Sequence, residues 1–156
     1  MGVSTDGQIC YGIIFEEGTE FPWDSDVFDG DIDDWWIYGI CGFRHSFEIY
    51  TPDGEYVDGV RPPQEKISEY FAEKQQFAES KPLPVKLVNY CSCDYPMYIL
   101  AVVGTCNSAR RGYPEEFNPA NLTVTDEQKA ELIKFCETYG IAVENEPAWY
   151  LSSLWC

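Results

Sequence analysis

Nine carboxylates crowd the segment from 16 to 34: Glu16, Glu17, Glu20, Asp24, Asp26, Asp29, Asp31, Asp33 and Asp34, with no Lys, Arg or His among them. Phe21, Trp23, Phe28, Ile32, Trp35 and Trp36 are threaded through the acids. Oxygen ligands at this density suit a hard cation such as calcium. The EF-hand spacing is not met, however. With Gly30 as the loop glycine, Ser25 falls first, Val27 third and Trp36 last, where acids are required. A second chemistry is mimicry of a nucleic-acid backbone, which carries one charge per roughly 1.7 Å of duplex axis. Asp and Glu on a rigid surface offer comparable spacing to a protein built to hold DNA or RNA. The plain alternative is a solvated acidic face.

Other reactive side chains form weaker patterns. The seven cysteines are Cys10, Cys41, Cys91, Cys93, Cys106, Cys136 and Cys156. Cys91-Ser92-Cys93 with Cys106 is the nearest approach to a zinc pattern, and it falls short of four ligands. His45 is the single histidine, between Arg44 and Ser46. A cysteine nucleophile would need it close by, together with an orienting group. Arg110 and Arg111 are the only concentrated positive spot. Phosphate-cradling glycine loops and the HExxH, GxSxG and kinase patterns are absent from the sequence. The expectation is therefore no catalytic residue, no metal and no cofactor, with the question of enzyme activity left open and leaning towards none.

The chain has 156 residues and a formal charge of -17, which predicts one domain over 1–156 and a strong preference among partners. The charge is uneven: residues 1–60 hold 14 acids against Arg44 alone. Such a field repels nucleic acid and anionic membrane and attracts basic protein surfaces. At 45% hydrophobic residues the chain has enough apolar material for a core, against a disordered reading. The opening Met-Gly-Val-Ser-Thr-Asp carries no signal-peptide pattern. The best apolar run, Tyr98 to Val103, has strand length and falls far short of a membrane span. An odd cysteine count without an export signal fits free thiols in a reducing cytoplasm.

The pattern of residues predicts an α+β fold: a mainly antiparallel sheet of about five or six strands with two helices. Residues 8–15, 36–43, 46–50, 55–57, 85–90 and 95–104 read as strands, with 141–143 a further short one. Asp31 to Trp36 is a candidate for a short helical turn, its acids suited to the positive end of the helix dipole. Pro52-Asp53-Gly54 signals a turn. Helical spacing of Ile67, Tyr70, Phe71, Lys74 and Phe77 predicts a helix over 63–79. Thr125 with Gln128 reads as a capping box opening a helix over 125–139, and Gly140 as its stop. The tail from Pro147 to Cys156 is aromatic enough to dock on the body.

Four segments carry a resemblance over most of the chain. They are Glu20-Phe21-Pro22-Trp23-Asp24, Asp31-Ile32-Asp33-Asp34-Trp35-Trp36, Tyr95-Pro96-Met97-Tyr98-Ile99-Leu100, and Pro147 through Trp155. With the chain's size and acidity, they resemble small acidic accessory proteins of bacteriophages, a class that includes anti-restriction and anti-CRISPR inhibitors. The resemblance implies a bacterial cytoplasm and brings no functional residue with it. The leading expectation is a non-enzymatic inhibitor or modulator, a DNA mimic in its acidic segment. Asp24, Asp26, Asp29, Asp31, Asp33 and Asp34 would meet the basic surface of a host nucleic-acid-binding or defence protein. Trp23, Trp35 and Trp36 would anchor the segment or grip the partner. No direct nucleic-acid or membrane binding is expected. The alternatives are a small enzyme or ligand-binding protein, built on Cys91, Cys93 and His45, and a structural phage component that assembles through its C-terminal edge.

Overall fold

β1 (Thr5–Ile14) joins β-branched and aromatic residues in alternation, and both of its edges are paired in the computed structural model, which describes residues 5–52 and 54–155. One edge runs antiparallel along β5 (Ala148–Trp155), from Thr5↔Trp155 to Gly12↔Ala148. The other edge meets β3 (Pro96–Val102) at Gly12↔Ala101 and β4 (Asn107–Ala109) at Ile9↔Asn107. β2 (Val85–Ser92) lies antiparallel to β3 and parallel to β5, so β1, β3, β2 and β5 pair in a closed ring. The five-stranded sheet is therefore mixed rather than purely antiparallel.

The ring follows from the apolar pattern. β3 is apolar almost throughout, and Ile99, Leu100 and Ala101 are fully buried, as a strand covered on both faces requires. Cys10, Val88, Ile99 and Ala101 form a buried cluster, with Ile14, Tyr90, Cys106 and Tyr150 packed against it. All four strands of the ring contribute, which places this cluster on its inner side. α3 (Asp126–Tyr139) packs against β3 and buries Leu132, Phe135 and Cys136. Its capping box is formed as the sequence indicates: Gln128 N donates to the Thr125 hydroxyl, and Thr125 N donates to Gln128 Oε1. Gly140 closes the helix at φ 70°.

The chain folds into two compact units, residues 1–24 with 84–156, and residues 25–83. The second unit holds α1 (Ile32–Asp34), which continues as a π-helical turn over Trp35–Ile40, and α2 (Gln64–Ser80). The expected strand over 36–43 is not formed. Asp31 caps the turn through its carboxylate, and Trp35 and Ile37 fall on its buried side, so tertiary packing overrides the β propensity of the aromatic run. Among the described residues the α-helices thus number three, not two. The strands expected over 46–50 and 55–57 reduce to a single bridge, Tyr50↔Tyr56, and 141–143 is not a strand. Asp53, in the expected turn, lies outside the described residues.

Gly12 is a point of close backbone approach in the ring. A side chain there would meet the Leu100 carbonyl and come within 2.8 Å of Ala101 Cα. These are backbone atoms of the paired strand and cannot yield without opening the register. Gly12→Ala is expected to destabilise the protein by about 3 kcal/mol or prevent folding, read from the denaturant midpoint. An unchanged midpoint would show that β1 and β3 are not so closely paired.

Candidate functional site

The acidic segment is divided between the two units. Asp24 ends a stretch of the first, and Asp26 to Asp34 belong to the second. In the first unit Trp23 is 1% exposed and stacks on Phe21 with ring centres 4.9 Å apart. Phe21 meets Phe15 and Tyr98 edge-on, and its N–H donates to Asp24 Oδ2 at 2.7 Å. Asp24 is exposed but already serves a turn of its own backbone.

In the second unit short-range hydrogen bonds fold the segment. Phe28 N and Asp29 N both donate to Ser25 O, and Asp31 N donates to Phe28 O. Asp29 and Gly30 are consecutive left-handed residues at φ 48° and 78°. That reversal lets Ile32, Trp35 and Ile37 turn inward while Asp26, Asp29, Asp31 and Asp33 stay exposed. Asp34 is paired with Lys74. Partial burial, then the charges of Asp31 and Asp34, push the Asp33 carboxyl above the usual carboxylate range, against the pull of Lys74. Trp36 is half-buried, and its Nε1 donates to Lys81 O at 2.8 Å. Of the three tryptophans, Trp23 and Trp35 are core, and only Trp36 keeps a substantial solvent face.

His45 is built into an aromatic stack. Its ring lies on Tyr70 at 3.5 Å and meets Phe43 edge-on at 4.7 Å. Nε2 is 3.0 Å from the Tyr38 hydroxyl, and Nδ1 is 3.6 Å from Glu73 Oε2, beyond hydrogen-bond length. Burial holds its pKa below the usual histidine range, although Glu48 and Glu73 oppose this. His45 belongs to the second unit, whereas Cys91 and Cys93 belong to the first. Cys93 is disulfide-bonded, which corrects the expectation of free thiols throughout. Its N–H donates to Trp155 O, so β5 has been brought to the end of β2. Cys10, Cys41, Cys91, Cys106 and Cys136 are free, and Cys156 lies outside the described residues. Among the described residues no three His, Cys, Asp or Glu converge as a metal site.

Cys106, which the sequence groups with Cys91 and Cys93, instead meets Cys10 elsewhere in the first unit. Continuing the β1–β4 register by one step sets Cys10 opposite Cys106. From Gly12 to Ile9 on β1 the opposite chain runs from Ala101 to Asn107, three residues more than the pairing needs. This bulge is held by Thr105, whose hydroxyl accepts from Tyr11 N at 3.2 Å and donates to Val102 O at 2.7 Å. The thiols lie on a cavity of about 290 Å³ whose lining includes Gln8, Cys10, Lys86, Val88, Cys106 and Leu154. A hydrogen bond from Cys10, then Lys86's charge and Thr105, bring the Cys106 thiol down to about 7 against the effect of burial. The same hydrogen bond, with burial, pushes Cys10 up. No spacing rule finds two cysteines so far apart in sequence. Cys10 lies in the middle of β1 and Cys106 just before β4, and the sequence does not reveal that these strands pair.

The chain matches no protein-family model, no curated protein and no solved structure. Among the described residues no helix is long and apolar enough to cross a membrane.

His45 makes stability depend on pH. Its folded-state pKa is depressed, so the unfolded chain takes up the proton first as pH falls. The contribution is whole above the unfolded value of about 6.5 and is lost as pH drops towards the folded one. Melting temperature should fall between about pH 7.5 and about pH 5.5, and His45→Asn should flatten that slope. Equal slopes would show that the stacked ring does not control it.

Proposed function

We propose that this protein is a small, phage-encoded inhibitor or modulator that binds a basic surface of a bacterial nucleic-acid-binding or defence protein. The observation that supports this reading is the arrangement of the second unit's acidic turn. Asp26, Asp29, Asp31 and Asp33 are exposed on backbone that is folded by its own hydrogen bonds and anchored by buried Ile32 and Trp35. A preorganised charged surface loses little freedom on binding, and its field draws an oppositely charged partner. Asp33 adds a second consideration. An ionised carboxylate crowded by Asp31 and Asp34 is a cost to the fold. A residue that works against stability is intelligible where its charge serves a partner.

The surface is narrower than the acidic run as a whole. Asp34 is engaged by Lys74, and Trp35 is buried, so the contact is assigned to Asp26, Asp29, Asp31 and Asp33 beside Trp36. The unit carries thirteen acids against five bases, so the field around this turn is negative on balance.

Capture of a basic partner from host lysate tests the reading when compared with a charge-neutral variant. Replacing Asp26, Asp29, Asp31 and Asp33 together by Asn keeps the Asp31 cap in kind, since Asn caps as well as Asp. Melting temperature should hold or rise, because crowded charge is removed. Capture should drop by about tenfold or more, and raising salt from about 0.05 M to about 0.5 M should weaken the wild-type contact similarly. Capture that survives both changes would overturn the assignment.

A further inference from the structure

The cavity over Cys10 and Cys106 differs from the rest of this acidic molecule. Lys86 is the one charged residue in its lining, and Gln8, Asn89, Asn107 and Ser108 supply the polar groups. The two thiols also differ in access. Cys10 is 1% exposed, at the base of the strand ring, whereas Cys106 is partly exposed. Thr105 fixes the bulge against Tyr11, which keeps Cys106 opposite Cys10 rather than swung out with the loop. Residues opposite each other in an antiparallel pair have Cα atoms roughly 4.5–5.5 Å apart. A disulfide spans about 4.4–6.8 Å. Cys106 stands one residue beyond the ladder and is hydrogen-bonded to Cys10, so the two sulfurs already lie within reach of each other.

We propose that Cys10 and Cys106 form a thiol–disulfide exchange site whose substrate is a small disulfide bearing carboxylates. Cys106, as thiolate, attacks one sulfur of the substrate. A bond forms between Cys106 Sγ and that sulfur, the substrate's S–S bond breaks, and the first thiolate leaves and takes a proton from solvent. Cys10 then loses its proton to solvent, and its sulfur attacks Cys106 Sγ. The mixed disulfide breaks, and the second substrate thiol departs. The protein dithiol has given up two electrons and the substrate disulfide has become two thiols. Lys86 attracts the carboxylates and favours the attacking thiolate. An attacking thiol with a pKa near ambient pH combines thiolate population with nucleophilicity, and Cys106 lies there. Each of these features is in the first unit, and none depends on the acidic turn.

The test is exposure of the native protein, with Cys10 and Cys106 as free thiols and the Cys93 disulfide intact, to glutathione disulfide, followed by acid quench and peptide mapping. A Cys10–Cys106 linked peptide with no retained glutathione is expected from the wild type. Cys10→Ser should instead retain glutathione on Cys106, because the resolving thiol is gone. Lys86→Gln should slow modification at Cys106 by about three- to tenfold while leaving Cys41 unchanged. The wild-type map needs no variant, so a failure of Cys10→Ser to fold does not remove the test. Modification of Cys41 or Cys91 with Cys10 and Cys106 still reduced would overturn the proposal. So would glutathione persisting on Cys106 in the wild type.

Discussion

β1 directs its backbone hydrogen bonds to three partners, and that double-sided pairing is the constraint on which the first unit depends. β5 occupies one edge from Thr5 to Gly12, while β3 and β4 divide the other. A strand used on both sides must present small groups where another backbone comes close, and Gly12 is placed where it does. The three extra residues between β3 and β4 follow from the same demand. The chain leaves β1 at the end of β3 and must rejoin it, and the buried hydroxyl of Thr105 is the peg that brings it back. Setting two thiols face to face beside the bulge is a by-product of that repair.

The second unit solves a different problem. It must fold a sequence whose charged and aromatic residues nearly alternate, with little regular sheet to separate them. A left-handed reversal at Asp29 and Gly30, then a capped turn that widens into a π-helix, sorts Ile32, Trp35 and Ile37 to the inside and the aspartates to solvent. Cys41 N donating to Trp36 O closes the wide turn. Gly39 there lies against Phe28, where an added side chain would come within 3.0 Å of the ring. His45, stacked on Tyr70 and wedged by Phe43, belongs to this packing rather than to any nucleophile.

Several elements are legible without the fold. Thr125 and Gln128 cap α3, Gly140 stops it, and the apolar run in β3 is buried on both faces, because these depend on groups within a few residues of one another. The aromatic tail does dock, though as a full strand paired on both sides. Local pattern misleads at 35–40, where Trp, Ile and Tyr favour a strand in isolation but are drawn into a helical turn by the buried side they must share. It also misleads for Cys93, which is disulfide-bonded where an odd cysteine count suggests free thiols.

By itself the sequence determined the charge, the place where that charge is concentrated, and the local starts and stops of the two long helices. These are properties of composition and short-range hydrogen bonding, and they survive any arrangement of the rest. Tertiary structure alone decided which acids remain exposed, which tryptophans are core, that the sheet closes with a parallel pairing, and that Cys10 faces Cys106. Each of these depends on strand order and register. Both are set by the simultaneous burial of distant apolar segments, which no window of neighbouring residues contains.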